Sequence, residues 1–339
     1  MRIPTTKRFL MLLTMVLAGM MLMAQSAWAQ NKAWAKLSNG VLTFTYGAKP
    51  AETQTPVKCK NCGKMVAVAH KFCPNCGKEK PTNSSNVFEV PLDNQGEMPY
   101  FDIIEQVKKV VITPSFKQVT NITSTYCWFY GMENLTSITG LENLNTSKVT
   151  RMGSMFGNCS SLTSLNLASL KTGNVKDMVW MFSDCKKLTS LNLASFKTDN
   201  VEEMFGMFEY CEKLTSINLS SFNTSKVNNM TEMFRGCSSL KSLNLSNFKT
   251  GMVRVFSNMF YGCKSLSTLD ISTFNTDKAW TMEGMFAKCS SLKTLYVPAN
   301  SWDMERVKRN YSEEYWYDRK ENRATSDMFK DCPAQVIKK

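Results

Sequence analysis

Cys159, Cys185, Cys211, Cys237, Cys263 and Cys289 follow one another at intervals of 26 residues without exception. A fixed period of this length is the mark of stacked repeats, in which no unit buries its apolar faces alone and each must pair with a copy of itself. The cysteine belongs to a longer phrase. Each repeat carries an L-x-x-L-x-L stretch, such as Leu188, Leu191, Leu193 or Leu240, Leu243, Leu245. Its alternating end reads as a short strand with one face inward. The other half of the repeat places Val175, Met178, Met181, Phe182 and Cys185 at offsets 0, 3, 6, 7 and 10, a spacing that predicts one face of a three-turn helix. Asp199 with Glu202 matches a helix-capping pattern.

The expected fold class is therefore an α/β repeat solenoid, a leucine-rich-repeat-like stack of about eight strand-helix coils with degenerate ends. Met132 stands where an earlier cysteine would be, and Met328, Phe329 and Cys332 repeat the phrase once more after an insertion. Phe196, Phe222, Phe248 and Phe274 recur at one place after each strand and read as corner-filling core. Coils stacked at about 4.8 Å fall within the ~4.4–6.8 Å window for disulfides. Thiols pointing in parallel meet badly for the required torsion, however, so a buried ladder of free cysteines is expected.

Residues 1–29 read as a signal peptide: Arg2, Lys7 and Arg8 precede an apolar run that ends in Ala27-Trp28-Ala29, with an uncleaved anchor as the alternative. No transmembrane helix is expected after cleavage. The chain has 41 basic and 28 acidic residues. Nine lysines lie in 30–86 against Glu52 and Glu79, and 87–339 is close to balance with 29 basic and 26 acidic residues. With export, that distribution argues against nucleic acid as a partner.

Two CxxCG knuckles, Cys59 with Cys62 and Cys73 with Cys76, have the ligand types and spacing of a structural Zn2+ site. They predict a small four-cysteine zinc ribbon, with two disulfides as the rival in an exported chain. His70, the one histidine, could replace a ligand, but four cysteines already complete the shell, and it reads as an exposed linker residue. The strand-like stretches 41–46 and 87–90 bracket the ribbon and are expected to pair as an N-terminal β-hairpin cap. The expected organisation is a signal peptide at 1–29, a cap strand at 30–50, the ribbon insert with linkers at 51–84, an opening cap at 85–134, leucine-rich repeats at 135–298, and a C-terminal insertion with a terminal repeat at 299–339.

The strand residues between the leucines face outward and form two rows. One holds Ser164, Ser190, Ser216, Ser242 and Thr268; the other holds Asn166, Asn192, Asn218, Asn244 and Asp270. They read either as a polar recognition surface or as a ladder of small residues that stack well. Tyr315, Trp316 and Tyr317, amid charges in the last insertion, are either a contact site or part of a helix covering the open end of the core.

The phrase "SSLxSLNLSxFNTSxVxxMxxMFxxC" resembles the BspA-like leucine-rich-repeat surface proteins, in a branch catalogued as a domain of unknown function. The likeness covers 87–339, including a lead-in from Trp128 to Val149, and extends to the strand-like 34–46. The resemblance implies a secreted or surface-displayed bacterial protein that binds a macromolecule, protein or polysaccharide, at the cell exterior, with adhesion as one known role. One histidine, no nucleophile elbow and no phosphate loop argue against an enzyme. The rival function is a structural or assembly component of the cell envelope.

Overall fold

The computed structural model of the protein describes residues 32–51, 57–58, 65–66, 87–93, 101–314 and 324–339. The signal segment 1–29, His70, the four knuckle cysteines and Tyr315 to Tyr317 lie outside the described residues.

The chain opens with a hairpin, β1 (Lys32–Ser38) and β2 (Val41–Gly47), paired antiparallel from Lys32↔Gly47 to Ser38↔Val41. Asn39 and Gly40 join them with φ of 49° and 77°, the two positive values that a two-residue hairpin turn matching the strand twist requires. Two short strands, β3 (Val57–Lys58) and β4 (Met65–Val66), pair antiparallel on either side of 59–64. The next strand, β5 (Val87–Glu89), pairs with β1, whereas β2 pairs in parallel with β6 (Lys109–Ile112). This corrects the expected pairing of 41–46 with 87–90. The Asn-Gly turn makes 32–47 a hairpin rather than one cap strand, so β1 lies between the two strands expected to meet. β6 continues in parallel to β7 (Ser137–Thr139), and Phe44 stacks on Trp128 at 5.9 Å, seating the cap on the first coil.

Beyond the cap the chain is a repeat solenoid. β8 (Ser190–Asn192) pairs in parallel with β9 (Ser216–Asn218), and β10 (Thr268–Asp270) with β11 (Thr294–Val297), each one repeat further along. On the opposite wall a chain of parallel bridges runs Ser124, Arg151, Asp177, Glu203, Asn229, Val255, Thr281. Between these walls Phe129 and the MFxxC phenylalanines after it form one stack as far as Phe329, with neighbouring centroids 5.3–5.8 Å apart. The repeat valines, methionines and most leucines beside them are buried, with Leu165 and Leu243 half-buried, and Phe196, Phe222, Phe248 and Phe274 are buried at the corners. The far end is closed by α1 (Met304–Glu314), which buries Val307, by Trp302 against Phe286 at 6.4 Å, and by β12 (Gln335–Lys338) paired in parallel with β11. A helix covering the core end is thus what 304–314 form.

The expected repeat helix does not form. Its five positions are buried, but the backbone is a series of turns. In one coil the amides of Met178, Trp180, Phe182 and Asp184 donate to the carbonyls of Glu203, Phe205, Met207 and Glu209 in the next, while those of Met181, Ser183 and Cys185 reach back three residues. Alternate amides are committed to the neighbouring coil, so an i to i−4 ladder has no donors left. The offsets 0, 3, 6, 7, 10 suit three-residue turns as well as a helix. Asp199, read as a helix cap, instead accepts a hydrogen bond from Asn223 at 2.8 Å.

Candidate functional site

Each face of the solenoid carries a different chemistry. The six repeat cysteines are free and fully buried. Each thiol donates to the phenylalanine carbonyl of the preceding coil, from Cys159 to Phe129 through Cys289 to Phe260, at 3.0–3.2 Å. Burial pushes Cys185, Cys237 and Cys289 up to about 12, which keeps them protonated, and a thiol without thiolate character is a poor nucleophile or metal ligand. They are core. Among the described residues no group of three or more His, Cys, Asp or Glu could hold a metal ion.

On the strand face the structure places all ten predicted surface residues in solvent. The asparagine row has a local partner as well. Asn166, Asn192, Asn218 and Asn244 accept, through Oδ1, the amide two residues further on, at 3.1–3.3 Å, and Asp270 does the same at 2.9 Å. These side chains close the turn after each strand, a favoured use of short polar residues. Asp270 also accepts Lys339 at 2.8 Å. The row is regular because the turn is, and its exposed side chains are nearly identical from coil to coil.

The turn face differs. Within MxxMFxxC, the residues just before Met-Phe and just before the cysteine are ones that change. Ser154, Trp180, Gly206, Glu232, Asn258 and Gly284 occupy the first row, and Asn158, Asp184, Tyr210, Gly236, Gly262 and Lys288 the second. Both rows have positive φ throughout. Here Tyr126, Tyr130 and Trp180, with Asn158, Asp184 and Glu209, line a groove of about 540 Å³. Tyr130 and Trp180 are 41% and 38% exposed. Trp180 lies over Gly206, where a Cβ would come within 2.4 Å of the ring, and Tyr130 lies over Gly157, where the approach would be 3.0 Å. Burial, with Glu232 alongside and Arg235 opposing, pushes the Glu209 carboxyl up to about 7. Farther along, Arg235 sits between the rings of Tyr210 and Tyr261 at 5.5 and 5.1 Å. A second groove, of about 830 Å³, is lined by Lys226, Met252, Arg254 and Trp280 among others. The sequence reading missed this face because its residues interrupt the repeat; their signal was their departure from it.

Comparison with known proteins is consistent in kind and low in identity. Among solved structures, the chain is similar to a leucine rich cell surface protein from Faecalibacterium prausnitzii, at 14% identity over 90% of this chain and 92% of that one with a TM-score of 0.27. It is also similar to a leucine-rich repeat protein from Bacteroides ovatus, at 14% identity over 79% and 70% with a TM-score of 0.31. A third is the functional domain of InlJ from Listeria monocytogenes, which includes a cysteine ladder, at 13% identity over 75% and 62% with a TM-score of 0.15. No curated protein matches. No helix among the described residues is long and apolar enough to cross a membrane. The model of the family described as "Mycoplasma protein of unknown function, DUF285" matches residues 120–241 and 214–328, together more than half of the 339 residues, and the chain belongs to that family.

Proposed function

We propose that this chain is an exported, surface-displayed, non-enzymatic binding protein that uses its solenoid to engage a macromolecule, protein or polysaccharide, at the cell exterior, with adhesion as the role. The observation that carries this reading is the division of labour within the repeat. Core positions recur with few exchanges, all apolar, while one exposed face is diversified and grooved, as expected where stacked units build an extended recognition surface. The signal segment at 1–29 supports export. The second reading, an envelope assembly component, draws on the uniform strand face, which would suit self-association of like surfaces.

Zn2+ held by Cys59, Cys62, Cys73 and Cys76 is part of the proposal. Four thiols in two CxxCG motifs fit a structural zinc site, and the β3–β4 pairing closes the chain on both sides of the first motif. The metal would supply folding energy to a module too small to have a core. One zinc per chain is expected by elemental analysis, falling to none in Cys59→Ser with Cys73→Ser; a disulfide-bonded, metal-free chain would remove the ribbon from the proposal.

The functional test is binding of the chain to immobilised matrix proteins and to purified envelope, beside a version lacking 51–84, with and without chelator. Saturable binding to a matrix protein that survives the deletion supports adhesion through the solenoid. Binding to envelope alone, or only with the metallated insert, overturns it in favour of assembly.

A further inference from the structure

The Tyr130–Trp180 groove has a more specific chemistry than an exterior binding face requires. Large aromatic rings held half in water forfeit hydrophobic free energy that a covering ligand would recover. Both rest on backbone at glycine, Gly157 and Gly206, so their positions are set before any ligand arrives. At about 540 Å³ the groove lies within the ~300–1,000 Å³ usual for small-ligand sites.

Charge decides the ligand class. Asp184 is 3.3 Å from Lys186, and Glu209 is 3.9 Å from Arg235. Arg235 lies closer to Glu232, but burial pushes the Glu209 carboxyl up to about 7, so a cation seeking an aromatic cage would find one carboxylate paired and the other partly protonated, and an anion would meet two carboxyl groups. A pyranose ring presents an apolar C–H face to an aromatic ring and a rim of neutral hydroxyls to amides and carboxyls. We propose that this groove binds a neutral oligosaccharide, with Tyr130 and Trp180 as stacking platforms and Asn158, Asp184 and Glu209 as hydrogen-bonding partners for its hydroxyls. The proposal rests on the reading of the chain as an exterior binding protein. A Glu209 carboxyl that exchanges its proton near neutrality can accept from a hydroxyl or donate to one.

The test titrates the full chain with cellohexaose, maltohexaose, chitohexaose and mannohexaose by calorimetry and tryptophan fluorescence, with tetramethylammonium and inorganic phosphate as charged probes. At least one neutral hexasaccharide should saturate below about 10 mM and shift the emission. Trp180→Ala and Tyr130→Ala should each weaken it by about tenfold or more, and Trp180→Phe by about threefold or less. Val336→Ala, on the exposed terminal strand, should leave affinity unchanged. Should Trp180→Ala fail to fold by circular dichroism, Trp180→Phe and Asn158→Ala read the same contacts without removing the platform. No neutral saccharide bound, affinity indifferent to both Trp180 and Asn158, or tetramethylammonium binding in preference would overturn the site. Matrix or envelope binding that persists in Trp180→Ala with no saccharide bound would overturn the sugar site and leave the proposed function standing. Saccharide binding with no macromolecule captured would do the reverse.

Discussion

At the residue scale, a threonine row ties the coils together. Thr198 donates to the carbonyl of Asn223 at 3.0 Å and accepts the amide of the same residue at 2.8 Å; Thr172 does so with Lys197, and Thr224 with Lys249. One buried hydroxyl satisfies both backbone groups of a residue one coil away. Thr198→Val keeps the shape and removes both bonds, so chemical denaturation should show a loss of about 1–3 kcal/mol. Glu209 supplies a pH test. Its folded carboxyl titrates near 7, above the usual glutamate range, so the folded state binds the extra proton between the two values. Stability should therefore fall as pH rises from the glutamate range to about 7 and level off above it. Glu209→Gln should flatten that part of the profile in thermal melts from about pH 4 to 8, and an unchanged slope would show that Glu209 does not titrate as described.

At the element scale, the turn wall depends on two left-handed residues per coil, four apart: Trp180 with Asp184, Gly206 with Tyr210, Glu232 with Gly236, Asn258 with Gly262. Glycine is needed at only some of them, and for separable reasons. A Cβ at Gly262 would meet nothing closer than Gly236 at 3.9 Å, whereas one at Gly236 would come within 2.4 Å of the Tyr210 ring. Gly262→Ala should thus cost only the left-handed backbone strain, about 1–2 kcal/mol, and Gly236→Ala more than that, a difference readable from paired denaturation midpoints. The thiol ladder on the inner side of the same turns makes a second prediction. Iodoacetamide at about pH 8 should leave the six repeat cysteines unmodified in the native protein and label them together on unfolding, because no thiolate and no access exist before then. Labelling of any one of them in the native state would contradict the burial.

At the scale of the whole molecule, the ends carry the burden common to stacked repeats, since a coil without a neighbour exposes its core. Removing 300–339 would strip Trp302 and Phe329 from the last ring, Phe286, and take Val307 and Met328 out of the core. At about 1.5–3 kcal/mol per large apolar side chain, the loss should reach roughly 6–12 kcal/mol, seen as a lower melting temperature with dye-binding apolar surface. The period of 26, the buried rows and the free thiol ladder were legible in the primary structure, because burial repeats wherever the unit does. The knuckle cysteines lie outside the described residues, so their reading as a zinc site rests on spacing alone. The nature of the second wall was not legible: offsets 0, 3, 6, 7, 10 bury the same side chains in a helix or in a run of three-residue turns. The choice between them depends on where the amides of Met178, Trp180 and Phe182 go, and their partners lie a full repeat away. The hairpin register and the Tyr130–Trp180 groove are of the same kind. Sequence by itself determined which residues are core and that the units stack; tertiary structure alone decided the backbone between them and which exposed residues share a face, because both are set by bonds and contacts between coils.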